Sequence, residues 1–278
     1  MRTPSARPVR ISVRVFPLLA AAIVFLTGAF VHAEPIAVQS VEGATHGFLL
    51  LRSEHGDNLA HGELIQTVHD AEIESRLVFS FKDGSVHDER VRFSQQRVFT
   101  MLTYQLTQRG PSFPHAIDVS LNRKTGEYRV RSRSESEDVL TGRLDLPSDV
   151  SNGLAVTLIR NIPPGESRTV RFVAFTPEPK LIDLMILPAG EETVMIGDQP
   201  RSAIRYTIQP KLNAIIRFFG KLLGKLPTDF HYHFWILPGE VPAFVRFEGP
   251  LSLMGPVWQI ELISPRLSVQ GESRSRRR

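Results

Sequence analysis

The stretch Glu72–Phe93 reads EIESRLVFSFKDGSVHDERVRF and alternates apolar with polar side chains. Apolar residues take every second position over most of Ile73–Phe81, and Val91 and Phe93 resume the pattern after Asp83-Gly84. A period of two is typical of a strand with one buried and one wet face. Asp-Gly between two such runs is a strong hairpin signal. The stretch therefore predicts an antiparallel hairpin.

The same period extends in both directions from this hairpin. It runs from Gly47 to about Arg133, interrupted by the turn sequences Gly110–Pro114 and Lys124–Gly126. Short strands joined by turns, each with one wet face, are typical of an antiparallel meander. Residues 34–145 are therefore predicted to form an N-terminal β-meander.

The second half, residues 146–266, is predicted to contain a helix and a second β segment packed as one unit with the first. Ser148 is suited to cap a helix that carries Val150, Leu154, Leu158 and Ile159 on one stripe. Strands are predicted at 168–175, 181–187, 193–196, 203–208, 230–237, 243–248 and 257–263. The fold class expected is mainly β with two or three helices. We expect a curved antiparallel sheet, or an open β-barrel or β-roll, covered by an amphipathic helix.

That amphipathic helix is predicted at Lys211–Leu226, KLNAIIRFFGKLLGKL, which carries four basic residues and no acidic one. Its apolar residues fall on one face, with Arg217, Lys221 and Lys225 opposite. It could be core, a lid over an apolar ligand, or a helix lying on a membrane with its basic side at anionic headgroups. Gly220 and Gly224 favour core, whereas the basic face favours the membrane. The candidate contact residues are Leu212, Ile215, Ile216, Phe218, Phe219, Leu222, Leu223, Lys221 and Lys225.

The N-terminus is predicted to be a cleaved secretory signal, residues 1–33, with an uncleaved anchor as the alternative. Four arginines precede the apolar run 15–30, and Val31-His32-Ala33 supplies a cleavage site. The protein is then periplasmic or secreted. The Ser-Arg tail, residues 267–278, is expected to be disordered.

Charge and cysteine content narrow the function classes. The chain has 33 Lys and Arg and 29 Asp and Glu. The signal holds four arginines, and the tail from Glu272 holds four arginines and one acid, which leaves 25 basic and 28 acidic residues between them. Because the body is slightly acidic, a nucleic-acid partner is not expected. With no cysteine in the chain there are no disulfides.

No catalytic motif stands out, and whether the protein is an enzyme is left open, with a binding role favoured. His46, His55, His61 and His69 lie close in sequence but lack the spacing of a metal site, and His231 and His233 lack a third ligand. No nucleophile elbow or nucleotide-binding glycine motif is present. We expect no metal and no cofactor. The expected partner is a lipid, another apolar small molecule or a membrane surface; a protein partner is left open.

Arginines dominate the wet face near the end of the meander. Arg123, Arg129, Arg131 and Arg133 share a parity. They could form an anion-binding stripe, or they could be solvated or paired with Glu127, Glu135 and Glu137. The second interpretation is favoured because exposed charges are usually of this kind.

Several strings resemble an uncharacterised family of secreted bacterial proteins, β-rich envelope domains of unknown function. They include Phe81–Ser85, Gly110–Pro114, Leu146–Asp149, Asn152–Leu154 and the closing block from Phe234-Trp235-Ile236-Leu237 to Gly255-Pro256-Val257-Trp258. The second half is similar, more loosely, to open barrels that carry lipoproteins or lipids. The resemblance spans nearly the whole mature chain. It implies an envelope location and a single cooperative unit, and no catalytic residue. An envelope hydrolase or a structural assembly partner remains an alternative.

Overall fold

The computed structural model describes residues 33–113, 115–133, 137–176, 178–211, 232–252 and 255–263. These residues form one short helix, α1 (Ala155–Arg160), and fourteen strands. The strands are β1 (Thr45–Ser53), β2 (Asn58–His69), β3 (Glu72–Phe81), β4 (Val86–Gln95), β5 (Phe99–Arg109), β6 (Ala116–Asn122), β7 (Glu127–Arg133), β8 (Glu137–Arg143), β9 (Arg168–Thr176), β10 (Glu178–Ile196), β11 (Gln199–Pro210), β12 (Tyr232–Leu237), β13 (Ala243–Gly249) and β14 (Trp258–Ile263).

All fourteen strands belong to one antiparallel sheet in the order β8-β7-β6-β5-β4-β3-β2-β1-β14-β13-β12-β11-β10-β9. The first and last strands pair at its middle, from Phe48 opposite Ile263 to Ser53 opposite Trp258. The sheet is curved but not closed, since its two edge strands, β8 and β9, are not paired with each other. The expectation of a mainly β, curved antiparallel sheet is confirmed.

Strict alternation of strand direction gives the sheet two distinct ends. The chain enters β1 and leaves β14 at what we call the upper end. The turns β2–β3, β4–β5, β6–β7, β10–β11 and β12–β13 lie at the same end. The other turns, and the flanks of segment 212–231, lie at the lower end.

The expectation of two or three helices is wrong for the residues described, which contain only α1. The helix predicted from Ser148 begins at Ala155 instead, and no side chain caps its N-terminus. Gly153 has φ +73, a left-handed conformation that interrupts a helix. Just before it, the Ser151 amide donates to the Arg171 carbonyl at 2.9 Å. Hydrogen bonds to β9 therefore replace the first turns of the predicted helix.

The crossover between β8 and β9 fills the space inside the curve of the sheet. Asn152 pairs with β9 through its side chain, which accepts from the Val173 amide at 2.8 Å and donates to the Val173 carbonyl at 2.9 Å. A Cβ added to Gly153 would lie 3.0 Å from Val91 of β4. The crossover thus contacts both β4 and the edge strand β9.

The main core lies on the inner face of the sheet, and a smaller separate cluster contains Ala203, Trp235 and Val245. Phe79, Phe93, Leu51 and Ile186 are fully buried. Two strands predicted separately at 181–187 and 193–196 are one strand, β10, with an irregularity between Pro188 and Glu191. Gly190, at φ +100, allows the chain to bulge there instead of breaking the strand.

The lead-in before β1 crosses the upper end and contacts several elements. The Phe99 amide donates to the Ile36 carbonyl at 3.0 Å, and the Asn161 side chain accepts from the amides of Gln39 and Ser40 at 2.8 and 2.7 Å. Gln95 forms two hydrogen bonds with the backbone of Glu42. These bonds tie residues 36–42 to the β4–β5 turn and to the end of α1.

Candidate functional site

The contact residues predicted on the amphipathic segment, 212–226, lie outside the described residues, as do the predicted signal and tail. The flanks of this segment are described. Lys211 donates its amide to the Asp183 carbonyl at 3.1 Å, and Tyr232 pairs with Ile208 where β12 begins. Both flanks lie at the lower end. No helix among the described residues is long and apolar enough to cross a bilayer.

The histidines that cluster in sequence do not converge in space. His46 contacts Glu63 at 2.8 Å, His69 contacts Thr67 at 3.1 Å, and His55 lies in the β1–β2 turn at the other end of the sheet. His233 contacts Thr207 at 3.1 Å, and His231 lies outside the described residues. Within the described part of the chain, no three potential ligands come together as a metal site would need.

A histidine that the sequence did not single out lies inside the sheet. His87 is 3 % exposed, and one of its ring nitrogens lies 3.0 Å from the Gln108 amide nitrogen, which also donates to the Leu251 carbonyl. The other nitrogen, Nε2, has no hydrogen-bond partner among the described residues. Desolvation by burial lowers the pKa of His87 to about 4, although Asp88 acts against it. The ring is therefore neutral near pH 7.

Two adjacent carboxylates of β4 point to opposite faces of the sheet. Glu89 faces inward and accepts from the Tyr104 hydroxyl at 2.8 Å; burial raises its pKa, and this hydrogen bond opposes the rise. Asp88 faces outward between Arg76 and Arg90. Burial alone would raise the pKa of Asp88, but the two arginines outweigh it and hold the pKa at about 2. As expected for neighbours on a strand, they do not form an acid–base pair.

Aromatic side chains pack around the inward-facing polar groups of His87 and Tyr104. The rings of Phe79 and Phe113 lie 6.2 and 6.3 Å from the His87 ring, and the Phe175 ring stacks on Tyr104 at 6.0 Å. A general base must reach a substrate proton within hydrogen-bond distance or through one water. His87 is packed in the core and the partly buried Glu89 is held by Tyr104, so their arrangement favours a structural role.

Exposed apolar side chains concentrate at the upper end. Of the nine large hydrophobic side chains exposed among the described residues, six lie at the upper end, one in the lead-in, one in the β12–β13 turn and four near strand ends. We call this set the upper-end patch: Val41 (73 %), Val68 (49 %), Met195 (63 %), Ile196 (39 %), Val241 (64 %) and Leu262 (46 %). Single exposed hydrophobic side chains are ordinary, whereas contiguous groups of them are typical of interaction surfaces.

Two members of the patch are brought together by one arginine. Arg160, the last residue of α1, donates to the Glu42 carboxylate at 3.0 and 3.1 Å and to the Pro242 carbonyl at 2.6 Å. Val41 and Val241 are the chain neighbours of these two partners. These contacts hold the two chain segments that carry Val41 and Val241 beside one largely buried ion pair.

A polar cavity of about 620 Å³ lies across β5 to β8. The Tyr104 and Leu121 side chains point into the core, which places the cavity on the outer face. The side chains on that face are all polar: Thr103, Gln105, Ser120, Asn122, Glu127, Arg129, Thr141 and Arg143.

The structure places the arginines of the predicted stripe in different environments. Arg123 is half-buried and donates to the carbonyls of Met101, Leu146, Pro147 and Val150 at 2.6 to 3.2 Å, so it clamps the crossover to the sheet. It lies beyond the end of β6, where strand parity no longer applies. Arg129 remains on the outer face, in the polar cavity.

The upper-end patch could not be found from sequence because its six residues come from five separate places in the chain. Only the strand order brings these places to one end. The outer cavity was partly visible as the shared parity of the arginines. His87 carried no signal, because an alternating strand position does not distinguish a buried histidine from a surface one.

Comparison with known proteins leaves the family undetermined. No protein-family model and no curated protein matches the chain. Three solved chains match. One is described as a β-barrel-like protein of domain of unknown function DUF1849 from Brucella abortus, with 10% sequence identity and a TM-score of 0.46. The match covers 81% of this chain and 98% of that one.

Proposed function

We propose that this is an exported, β-rich envelope protein that binds an apolar partner, either a lipid-like ligand or a membrane surface. The observation that carries the proposal is the upper-end patch, which collects six of the nine exposed large hydrophobic side chains of the described residues. The predicted export signal supports a periplasmic or secreted location.

The partner contacts an end of the sheet and not its inner face. The inner face is occupied by the core and by the crossover, in which Val150, Leu154, Leu158 and Ile159 are at most 1 % exposed. A lipid chain would have to displace these side chains. Each buried leucine or isoleucine contributes about 1.5–3 kcal/mol, so such displacement is unfavourable.

The amphipathic segment 211–226 is the second proposed contact. The described residues on either side of it, Lys211 and Tyr232, lie at the lower end. The two proposed contacts differ in charge. The segment has basic residues and no acid, whereas the upper turns carry both signs: Asp70, Asp198 and Glu240 together with Arg97, Arg123 and Lys124. The segment should prefer anionic lipid, and the upper-end patch should not.

The binding proposal is tested on the full chain, expressed with its own N-terminal region and purified from the envelope. Lipid extraction and native mass spectrometry should reveal bound lipid, or the purified protein should associate with vesicles. A clean mass of the protein alone, together with no vesicle affinity, would contradict the proposal and favour the assembly or enzyme alternatives.

A further inference from the structure

We propose that the outer-face cavity binds a saccharide that carries a carboxylate or phosphate group. This inference is independent of the apolar contact, because the cavity lies on β5 to β8 and its outer-face side chains are all polar. Its volume of about 620 Å³ is within the range of small-molecule sites, roughly 300–1,000 Å³.

The shape of the cavity follows from the strand register. Gln105 pairs with Ser120, Ser120 with Arg129, and Arg129 with Thr141, so these four side chains form a row across four strands. Neighbouring strands are about 4.8 Å apart, which makes the row about 14 Å long. Ser120 is short and lies between the longer Gln105 and Arg129. It leaves a gap in this row, and the cavity lies between this row and the neighbouring outer row of Thr103, Asn122, Glu127 and Arg143.

The charges in the cavity favour an anion. Arg143 donates to the Glu127 carboxylate at 2.9 Å, and these two opposite charges cancel. Arg129 forms no hydrogen bond or ion pair with any described residue, so it contributes the net positive charge of the lining. A guanidinium presents several donors in one plane and is suited to bind carboxylate or phosphate through two hydrogen bonds.

The remaining lining residues match hydroxyl groups. The hydroxyls of Ser120 and Thr141 and the amide of Gln105 can each donate and accept hydrogen bonds. A ligand with many hydroxyls can use both capacities, whereas an apolar ligand would leave them unpaired at a cost in free energy. The ligand should therefore place one anionic group on Arg129 and several hydroxyls along the row, as an acidic or phosphorylated sugar can.

The test is an NMR titration of the full chain that monitors the backbone amides of Ser120, Arg129 and Thr141. Four probes are titrated separately: glucuronate, glucose 6-phosphate, glucose and inorganic phosphate. We expect saturable shifts with the two anionic sugars and weaker binding of glucose and of phosphate. Arg129→Gln removes the charge, and Ser120→Gln fills the gap between Gln105 and Arg129. Either should raise Kd about tenfold or more, which corresponds to a loss of about 1.4 kcal/mol or more in binding free energy.

Arg201→Gln is the matched control, because Arg201 is an exposed arginine on β11, outside the cavity. It should leave Kd unchanged. The proposal is overturned if no probe gives saturable shifts or if Arg201→Gln weakens binding as much as Arg129→Gln. It is also overturned if glucose or phosphate alone binds as tightly as the anionic sugars. Circular dichroism of each variant shows whether it is folded.

Discussion

The guanidinium of Arg160 lies 3.0 and 3.1 Å from the two carboxylate oxygens of Glu42, 118 residues away in sequence. The Glu42 side chain is only 1 % exposed and the Arg160 side chain 18 %. This pair joins the lead-in to the end of α1, and the same arginine holds the β12–β13 turn through Pro242. It therefore holds together the two segments that carry Val41 and Val241, two residues of the upper-end patch.

Arg160→Met should destabilise the protein strongly, because it leaves the Glu42 carboxylate buried without its partner. Loss of one member of a buried pair typically costs about 3–5 kcal/mol. Urea unfolding followed by tryptophan fluorescence measures the change. The control is Arg143→Met, which breaks the exposed pair with Glu127 and should cost less than about 1 kcal/mol. Equal effects of the two substitutions would show that Glu42 is not buried as described.

Gly62→Ala should destabilise the sheet through overpacking. A Cβ at Gly62 would lie 2.3 Å from Cε1 of Phe79 and 2.8 Å from the Val78 carbonyl oxygen, and Phe79 is fully buried. Inserting a carbon into a well-packed site costs about 1–3 kcal/mol. Gly43→Ala is the control, because nothing lies within 4 Å of its added Cβ. If thermal unfolding shows both variants to be as stable as the parent, the β2–β3 register is incorrect.

Tyr104→Phe should remove the one hydrogen bond that the inward carboxyl of Glu89 forms with the described residues. An unsatisfied buried acceptor costs about 1–3 kcal/mol. The pKa of Glu89 should also rise further, because this bond opposes the effect of burial. Glu89→Leu in the Tyr104→Phe background should restore part of the loss. A double variant less stable than Tyr104→Phe in urea unfolding would argue against an unpaired Glu89 as the cause.

Because of His87, the free energy of unfolding should decrease as the pH falls. Its pKa is about 4 in the folded protein against an ordinary value of 6.5. Between these values the unfolded chain binds a proton that the folded protein does not, so the free energy of unfolding decreases as pH drops from 6.5 to 4. At about 1.36 kcal/mol for each pH unit, the contribution lost is about 3 kcal/mol.

His87→Leu should therefore be less sensitive to pH than the parent protein over this window, measured by urea unfolding at pH 7 and pH 4.5. Carboxyl groups titrate in both proteins, so the difference between them isolates His87. His55→Leu, at an exposed turn residue, should behave as the parent does. An unchanged pH dependence in His87→Leu would mean that the ring is protonated inside the folded sheet.

The β character of the chain could be predicted from local sequence, whereas its strand order could not. Alternation over Ile73–Phe81 marks both a strand and its buried face. Pairing of β1 with β14 joins residues more than 200 positions apart, and no local pattern encodes that. The length of α1 was overestimated from the sequence for a related reason. Val150 and Leu154 are buried as expected, but the backbone between them forms hydrogen bonds to β9 or turns at Gly153.

The candidate surfaces also differ in how much of each could be predicted from local sequence. The amphipathic segment is local, so sequence alone identifies it, and its role stays a prediction. The upper-end patch depends on which turns share an end of the sheet, so it emerges only with the topology. The cavity combines both: strand parity predicted that Arg129 faces outward, while the short Ser120 beside it matters only once the register places them together.

The most direct test of the proposed apolar contact is flotation of the purified full chain with lipid vesicles, neutral in one series and anionic in the other. Two variants are compared: Val41→Ser/Val241→Ser, which alters the upper-end patch, and Phe218→Ser/Phe219→Ser, which alters the amphipathic segment. Both should float less than the parent, the first equally in the two lipids and the second mainly with anionic vesicles. A parent protein that does not float with either lipid, or two folded variants that float as well as the parent, would contradict the account.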